Sequence, residues 1–178
     1  LCRLIENVSI GPSPFWLQQQ LLACGQTPIC NAVDIGTFIL LKRGQPLHIF
    51  DFDKIEGNSL QAGPSETSQT ILGLDGIEYE VPTGTLLISD AKKPVAIAGI
   101  LGANNSAVPK DSNQTHNLLI EAAFFDPATI RKRAKALDLR TESAQRFEKG
   151  TDPNGILDAL DEAVSLILEI CGGHLVSG

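Results

Sequence analysis

The sequence predicts an α+β protein, with a β-rich centre of hairpins and mixed sheet layers flanked by N-terminal and C-terminal helices. Three observations carry that expectation. Strand-like segments cluster between residues 48 and 125, the clearest helical patterns lie outside that stretch, and the two do not alternate as βαβ units would. No Gly-x-Gly-x-x-Gly or P-loop run occurs, so nothing supports a nucleotide-binding fold. At 178 residues the chain fits one ordinary domain, or two small ones sharing a core.

The helices announce themselves by one device, a capping side chain followed by Pro at the first helical position: Ser13-Pro14, Asp126-Pro127 and Asp152-Pro153. The cap oxygen accepts from a free backbone N–H, and Pro lacks the N–H that would be orphaned there. The first helix is expected over Pro14–Cys24, burying Leu17, Leu21 and Cys24, with Gly25 ending it. A second runs from Pro127 to about Leu137. The third carries Ile156, Leu160, Ala163, Val164, Ile167 and Cys171 as an apolar stripe and stops at Gly172-Gly173. Residues 34–41 read equally as a short helix or a buried strand ended by Gly44.

In the centre, Ile71–Leu74 and Ile77–Val81 flank Asp75-Gly76 as a hairpin. Thr85–Asp90 and Pro94–Ile100 form a second across Ala91-Lys92-Lys93, and Leu118–Phe125 is a strand apolar on both faces except at Glu121. Residues 102–116 are small, polar and irregular, a loop of functional length.

Composition narrows the function. Hydrophobic residues are 43% and charged residues 20%, so the chain is not disordered, and no apolar run approaches a membrane span. The net charge of -7 means that the chain cannot hold a polynucleotide by phosphate neutralisation unaided; a nucleic acid must be delivered by other domains, with only a small part of it touching this one. The four cysteines have neither Cys-x-x-Cys nor a His at zinc spacing, which argues against a structural zinc site and for buried thiols in the reducing cytoplasm. There is no Met at all, which is most simply explained by a domain cut from a longer polypeptide.

Among candidate residues, Glu121 is the most anomalous: a bare carboxylate among apolar neighbours is costly. Two readings stay open, a structural ion pair with Arg146 or Arg140, and a carboxylate kept for a donor on a ligand. His48, between Leu47 and Ile49, is the best general base or water positioner available, though such a histidine is commonly just a core residue. Gly102 follows an apolar run and can present backbone N–H groups, or simply turn the chain. Thr141, Glu142 and Ser143 read as a helix N-terminus with a Thr cap. No nucleophilic triad is legible.

Several segments occur in order: Gly11-Pro12-Ser13-Pro14, Val33-Asp34-Ile35, Gly44-Gln45-Pro46-Leu47-His48, Phe50-Asp51, Ala98-Gly99-Ile100, Glu121-Ala122-Ala123-Phe124 and Arg146-Phe147-Glu148-Lys149-Gly150-Thr151-Asp152-Pro153. In this arrangement the chain resembles the editing module of the bacterial phenylalanyl-tRNA synthetase β subunit, from about Leu4 to Gly173. The resemblance implies a single module over 1–178 that hydrolyses the ester of tyrosyl-tRNA made in error on the tRNA for phenylalanine. Such a step answers a physical need, because a hydrophobic pocket shaped for Phe rejects one added hydroxyl only by on the order of 10²-fold.

By the same resemblance, Glu121 reads the tyrosine hydroxyl with the Gly102 backbone beside it. His48 places water or the terminal adenosine, with Thr141 as its catalytic companion, and Ser143 lines the pocket. The implied partners are the tyrosine-bearing 3′ end of the tRNA, the rest of the β subunit and an α subunit, in the cytoplasm and without a membrane. No metal or cofactor is implied for this module; ATP and magnesium belong to the whole synthetase. Departures from the family pattern stand at Thr27 (commonly Arg), Gly36-Thr37-Phe38 (commonly Thr-Asn-Tyr), Lys42, Ala103 and Ser143. Thr27 and Gly36 remove side chains expected around the substrate. The alternatives are an editing-defective structural module of the β subunit, or a free-standing relative that edits in trans.

Overall fold

The computed structural model describes residues 1–110 and 114–177, and the α+β expectation holds. In chain order the elements are β1 (Cys2–Glu6), α1 (Phe15–Ala23), α2 (Asn31–Arg43), β2 (Leu47–Asp51), β3 (Gln61–Pro64), β4 (Gln69–Leu72), β5 (Glu78–Val81), β6 (Leu86–Ser89), β7 (Pro94–Ile97), β8 (Leu101–Gly102), β9 (Asn117–Ala122), α3 (Pro127–Ala136), α4 (Glu142–Lys149), α5 (Ile156–Ile170) and β10 (His174–Leu175). The chain divides into two compact units. The first gathers Leu1–Asp53, Val108–Ala123 and Asp152–Gly178; the second gathers Lys54–Ala107 and Phe124–Thr151.

The first unit is built on a four-stranded antiparallel sheet ordered β10-β1-β9-β2. Alternation sends Leu118, Ile120 and Ala122 of β9 to one face, together with Ile5 and Ile49. There they meet Ile35 and Ile39 of α2 and Ala159, Leu160, Ala163 and Ile167 of α5 in one apolar core. Burying each such aliphatic side chain contributes roughly 1.5–3 kcal/mol. The ambiguous stretch 34–41 is thereby settled as part of α2, which ends at Gly44 in the left-handed region, φ 71°.

The second unit contains the sheet β3-β6-β7-β8 and the β4–β5 hairpin, all antiparallel. Both expected hairpins are present, with Ile71 opposite Tyr79 and Leu87 opposite Ile97. Helices α3 and α4 bury Ile130, Ala134, Ala144 and Phe147 among Ile71, Val81 and Ile97, and Phe125 meets Phe147 edge-to-face at 5.0 Å. Between β7 and β8 the chain reverses at Gly99, φ 69°, where a Cβ would lie 2.7 Å from Phe125 and 2.8 Å from Ile130.

Some expectations are corrected. Asp126 caps α3 through the Thr129 N–H, and Asp152 accepts from Asn154 N–H to start a 3₁₀ turn leading into α5. Ser13 caps nothing: α1 begins after Pro14 without a side-chain cap, because the Ser13 hydroxyl is drawn to Asp34. Strand β9 ends at Ala122, so Phe124 and Phe125 lie beyond it. The stretch expected as loop, 102–116, opens instead with the last residue of β8 and a 3₁₀ turn over Asn104–Ser106; Asp111, Ser112 and Asn113 lie outside the described residues. Cys30 and Cys171 are buried as expected, but Cys2 and Cys24 are exposed. Strands β1 and β10 were not foreseen, since their partners are more than a hundred residues away in β9 or at the opposite end of the chain.

Candidate functional site

Across the first unit's sheet, Cys2, Glu121 and His48 stand in one row: Glu121 is the register partner of Cys2 on β1 and of His48 on β2. Directly opposed residues share a face, with Cβ atoms about 4.5–5.5 Å apart. Since Ile49 and Ile120 point to the helices, alternation puts this row on the other face of the sheet. Phe50 shares that face, is fully buried, and meets the His48 ring edge-to-face at 4.3 Å.

Both titratable groups in the row are strongly perturbed. Glu121 is half-buried, and burial pushes its carboxyl up to about 7. Among the described residues no hydrogen bond or ion pair reaches that carboxylate. Arg146 belongs to the second unit, where it is bound to Glu142 one turn earlier in α4, at 2.5 Å. Burial also pushes His48 down to about 4, so the imidazole is neutral at pH 7. A ring with so acidic a conjugate acid is a poor general base, and its usefulness lies in donating from one nitrogen and accepting at the other. Cys2 is exposed overall, yet partial desolvation of its thiol and the Glu121 charge raise its pKa.

The register of this row is pinned by a residue that the sequence reading passed over. Gln45 is buried and donates through Nε2 to Pro46 O and to Ala123 O, each at 3.0 Å, tying the start of β2 to the end of β9. Its Oε1 is buried without a partner among the described residues. In the Gly-Gln-Pro-Leu-His run the signal for such a role is a polar amide directly before Pro at the head of a strand.

Gly102, Thr141 and Ser143 belong to the second unit. Thr141 is the N-cap of α4 and accepts from Ala144 N–H at 3.1 Å, as expected, while its hydroxyl donates to Ile100 O at 2.6 Å. That pair of bonds fixes the head of α4 against the turn leading into β8, and commits the hydroxyl proton. Gly102 is buried, pairs with Ala96, and accepts from Leu74 N–H at 3.0 Å. Ser143 is half-buried in the first turn of α4.

The departures also find their places. Gly36 lies on α2 where a Cβ would sit 3.3 Å from Ile49 Cδ1, on the core side of the sheet and away from the His48–Glu121 row. Its missing side chain is thus a packing matter. Thr27 is exposed in the connection from α1 to α2, and Lys42 joins Arg43 in binding Glu162 of α5.

The B3/4 domain family matches residues 1–172. The chain belongs to the B3/4 domain family. This B3/4 domain is 46% identical over 176 residues to the phenylalanine–tRNA ligase beta subunit of Desulfotalea psychrophila, covering 98% of this chain and 21% of that one. It is 44% identical to the beta subunit of Halalkalibacterium halodurans (98% and 21%) and 45% identical to that of Carboxydothermus hydrogenoformans (97% and 21%). The B3/4 domain therefore spans about a fifth of the length of the curated relatives it matches, and the resemblance to the β-subunit module is borne out. Among the described residues no helix is long and apolar enough to cross a membrane.

Proposed function

We propose that this B3/4 domain is an editing module that hydrolyses the ester of tyrosyl-tRNA for phenylalanine, working within a synthetase β subunit beside an α subunit in the cytoplasm. The observation that carries the reading is the Glu121 carboxylate, half-buried and with no hydrogen bond or ion pair among the described residues, on the sheet face that His48 shares. A tyrosine phenol supplies the hydrogen bond that the carboxylate lacks. Phenylalanine, one oxygen poorer, would bury the carboxylate further and leave it unpaired. Forfeiting a hydrogen bond to a charged group costs about 1.5–3 kcal/mol, which is roughly 10- to 150-fold in rate.

In this reading water adds to the ester carbonyl, the bond to the ribose oxygen breaks, and tyrosine and a free ribose hydroxyl leave. His48 is neutral and held edge-on by Phe50, so it orients the water or the terminal adenosine; it is a positioning residue. Thr141 holds the Ile100–Gly102 segment in place through its two bonds. ATP and magnesium serve the remainder of the synthetase.

The test is single-turnover deacylation of tyrosyl-tRNA by the whole synthetase carrying Glu121→Gln or Glu121→Ala. Expected is a loss of about 10-fold or more in deacylation, with phenylalanine charging unchanged. Equal rates in variant and parent would remove Glu121 from the mechanism. A second reading, a structural module that no longer edits, is favoured by Thr27 standing where related modules commonly carry Arg; absence of deacylation in the unaltered enzyme would select it.

A further inference from the structure

Half of the chain's basic residues sit in one short stretch. Residues 127–149 hold seven of the 14 Lys and Arg against three acidic residues, a local net of +4 in a chain whose total is -7. Four of them, Arg131, Lys132, Arg133 and Lys135, crowd α3, which carries no acidic residue in the helix itself. Like charges at this spacing cost a helix a few tenths of a kcal/mol per pair. The helix dipole favours the two in the last turn, Arg133 and Lys135, but not Arg131 and Lys132.

Elsewhere five of the cations are paired with carboxylates. Lys42 and Arg43 meet Glu162, Lys92 meets Glu56, Lys93 meets Asp90, and Arg3 meets Asp161. In contrast, Lys132, Lys135 and Arg140 are exposed, and among the described residues their side chains make no hydrogen bond or ion pair.

These cations are arranged around a shape. Helices α3 and α4 are joined by a tight turn in which Asp138 adopts φ 52°. A cleft of about 430 Å³ lies between the two helices, within the second unit. Arg131, Lys135 and Arg140 line it with Gln145, and Asp138 and Glu148 line it too. Arg131 is fixed across the cleft by donating to Glu148 O at 3.0 Å, which leaves Lys135 and Arg140 as its free cations. The volume falls within the range of about 300–1,000 Å³ typical of ligand clefts.

We propose that the α3–α4 cleft seats phosphate groups of an RNA strand, with Lys135 and Arg140 as the binding residues. The proposal rests on the reading of this domain as a module that handles tRNA. A guanidinium fork and a mobile ammonium suit phosphodiester oxygens, and such contacts position a strand without reading its sequence. The remainder of the chain is net acidic, which favours this stretch over the rest of the surface for an anionic strand. A whole-chain charge of -7 hides this local site.

The experiment uses the whole synthetase with Lys135→Gln and Arg140→Gln combined, and a charge-keeping pair, Lys135→Arg with Arg140→Lys. The probe is uncharged tRNA for phenylalanine, its binding measured across a salt series, with tyrosyl-tRNA deacylation followed in parallel. Two lost phosphate contacts should lower the slope of log affinity against log salt by about 1.4 and weaken binding at 0.1 M salt by about 25-fold. The charge-keeping pair should retain both, which separates lost charge from lost folding. An unchanged slope in the neutral variant overturns the proposal even where deacylation persists, and so does loss of subunit association without loss of tRNA binding. If the unaltered enzyme fails to deacylate but the slope still falls, the hydrolysis reading fails while the cleft stands.

Discussion

The hydroxyl of Ser13 donates to the buried carboxylate of Asp34 at 2.5 Å, and the same carboxylate accepts from the Ile29 N–H at 2.7 Å. Three chain segments, the start of α1, the approach to α2 and the first turn of α2, thus meet on one side chain. Removing a donor to a buried charge costs about 1.5–3 kcal/mol. Ser13→Ala should therefore lower the free energy of opening α2 by that amount, and Asp34→Ala by at least as much, since it strands both donors. Hydrogen exchange of the α2 amides checks this; unchanged protection would show the contact to be incidental.

Glu121 and His48 give opposite pH dependences that mask one another. Burial raises Glu121 from 4.5 to about 7, so its contribution to stability is complete below pH 4.5 and is lost as pH rises to 7. Burial lowers His48 from 6.5 to about 4, so its contribution is complete above pH 6.5 and is lost as pH falls to 4. Between pH 4.5 and 6.5 the slopes, each at most about 1.4 kcal/mol per pH unit, cancel. Urea unfolding across that window should show little pH dependence from this pair in the parent. His48→Phe should unmask stability falling with rising pH, and Glu121→Gln the reverse.

Two glycines separate packing from strain. At Gly99 a Cβ collides with Phe125 and Ile130 and φ is 69°, so Gly99→Ala should destabilise by about 2–4 kcal/mol. At Gly36 the nearest atom is the tip of the Ile49 side chain at 3.3 Å, and the residue is helical. Gly36→Ala should be near neutral or stabilising by up to about 1 kcal/mol, without altering deacylation. Thermal melts of both variants, with the deacylation assay on the second, decide it.

Thr141→Val keeps the shape of the side chain but removes both of its hydrogen bonds. The cap and the Ile100 contact together should cost about 1–3 kcal/mol, with Thr141→Ser restoring most of it. Exchange rates of the Ala144 amide report on the cap directly.

What could be read in the sequence was local. Asp126-Pro127 and Asp152-Pro153 work as written because the cap and the N–H that donates to it are three residues apart or fewer. Ser13-Pro14 misled because a stronger acceptor, Asp34, lies across the fold. Glu121 stood out as a charge among apolar residues, yet that His48 and Cys2 flank it depends on pairing between strands 73 and 119 residues distant. Much of the family resemblance proves to be scaffolding: Ser13 with Asp34, Gln45 with Ala123, Asp51 with Thr115 at 2.7 Å. The basic cleft escaped notice because summing charge over the whole chain erases where it lies.

The pairing of β1 with β10, Ile5 opposite Leu175, sets head and tail of the chain side by side on one sheet edge. The first and last strands of the described residues are accordingly neighbours in one ladder. Closing that gap with a short linker and cutting at the Asp75-Gly76 reversal instead would give a circular permutant whose every hydrogen-bonded ladder survives.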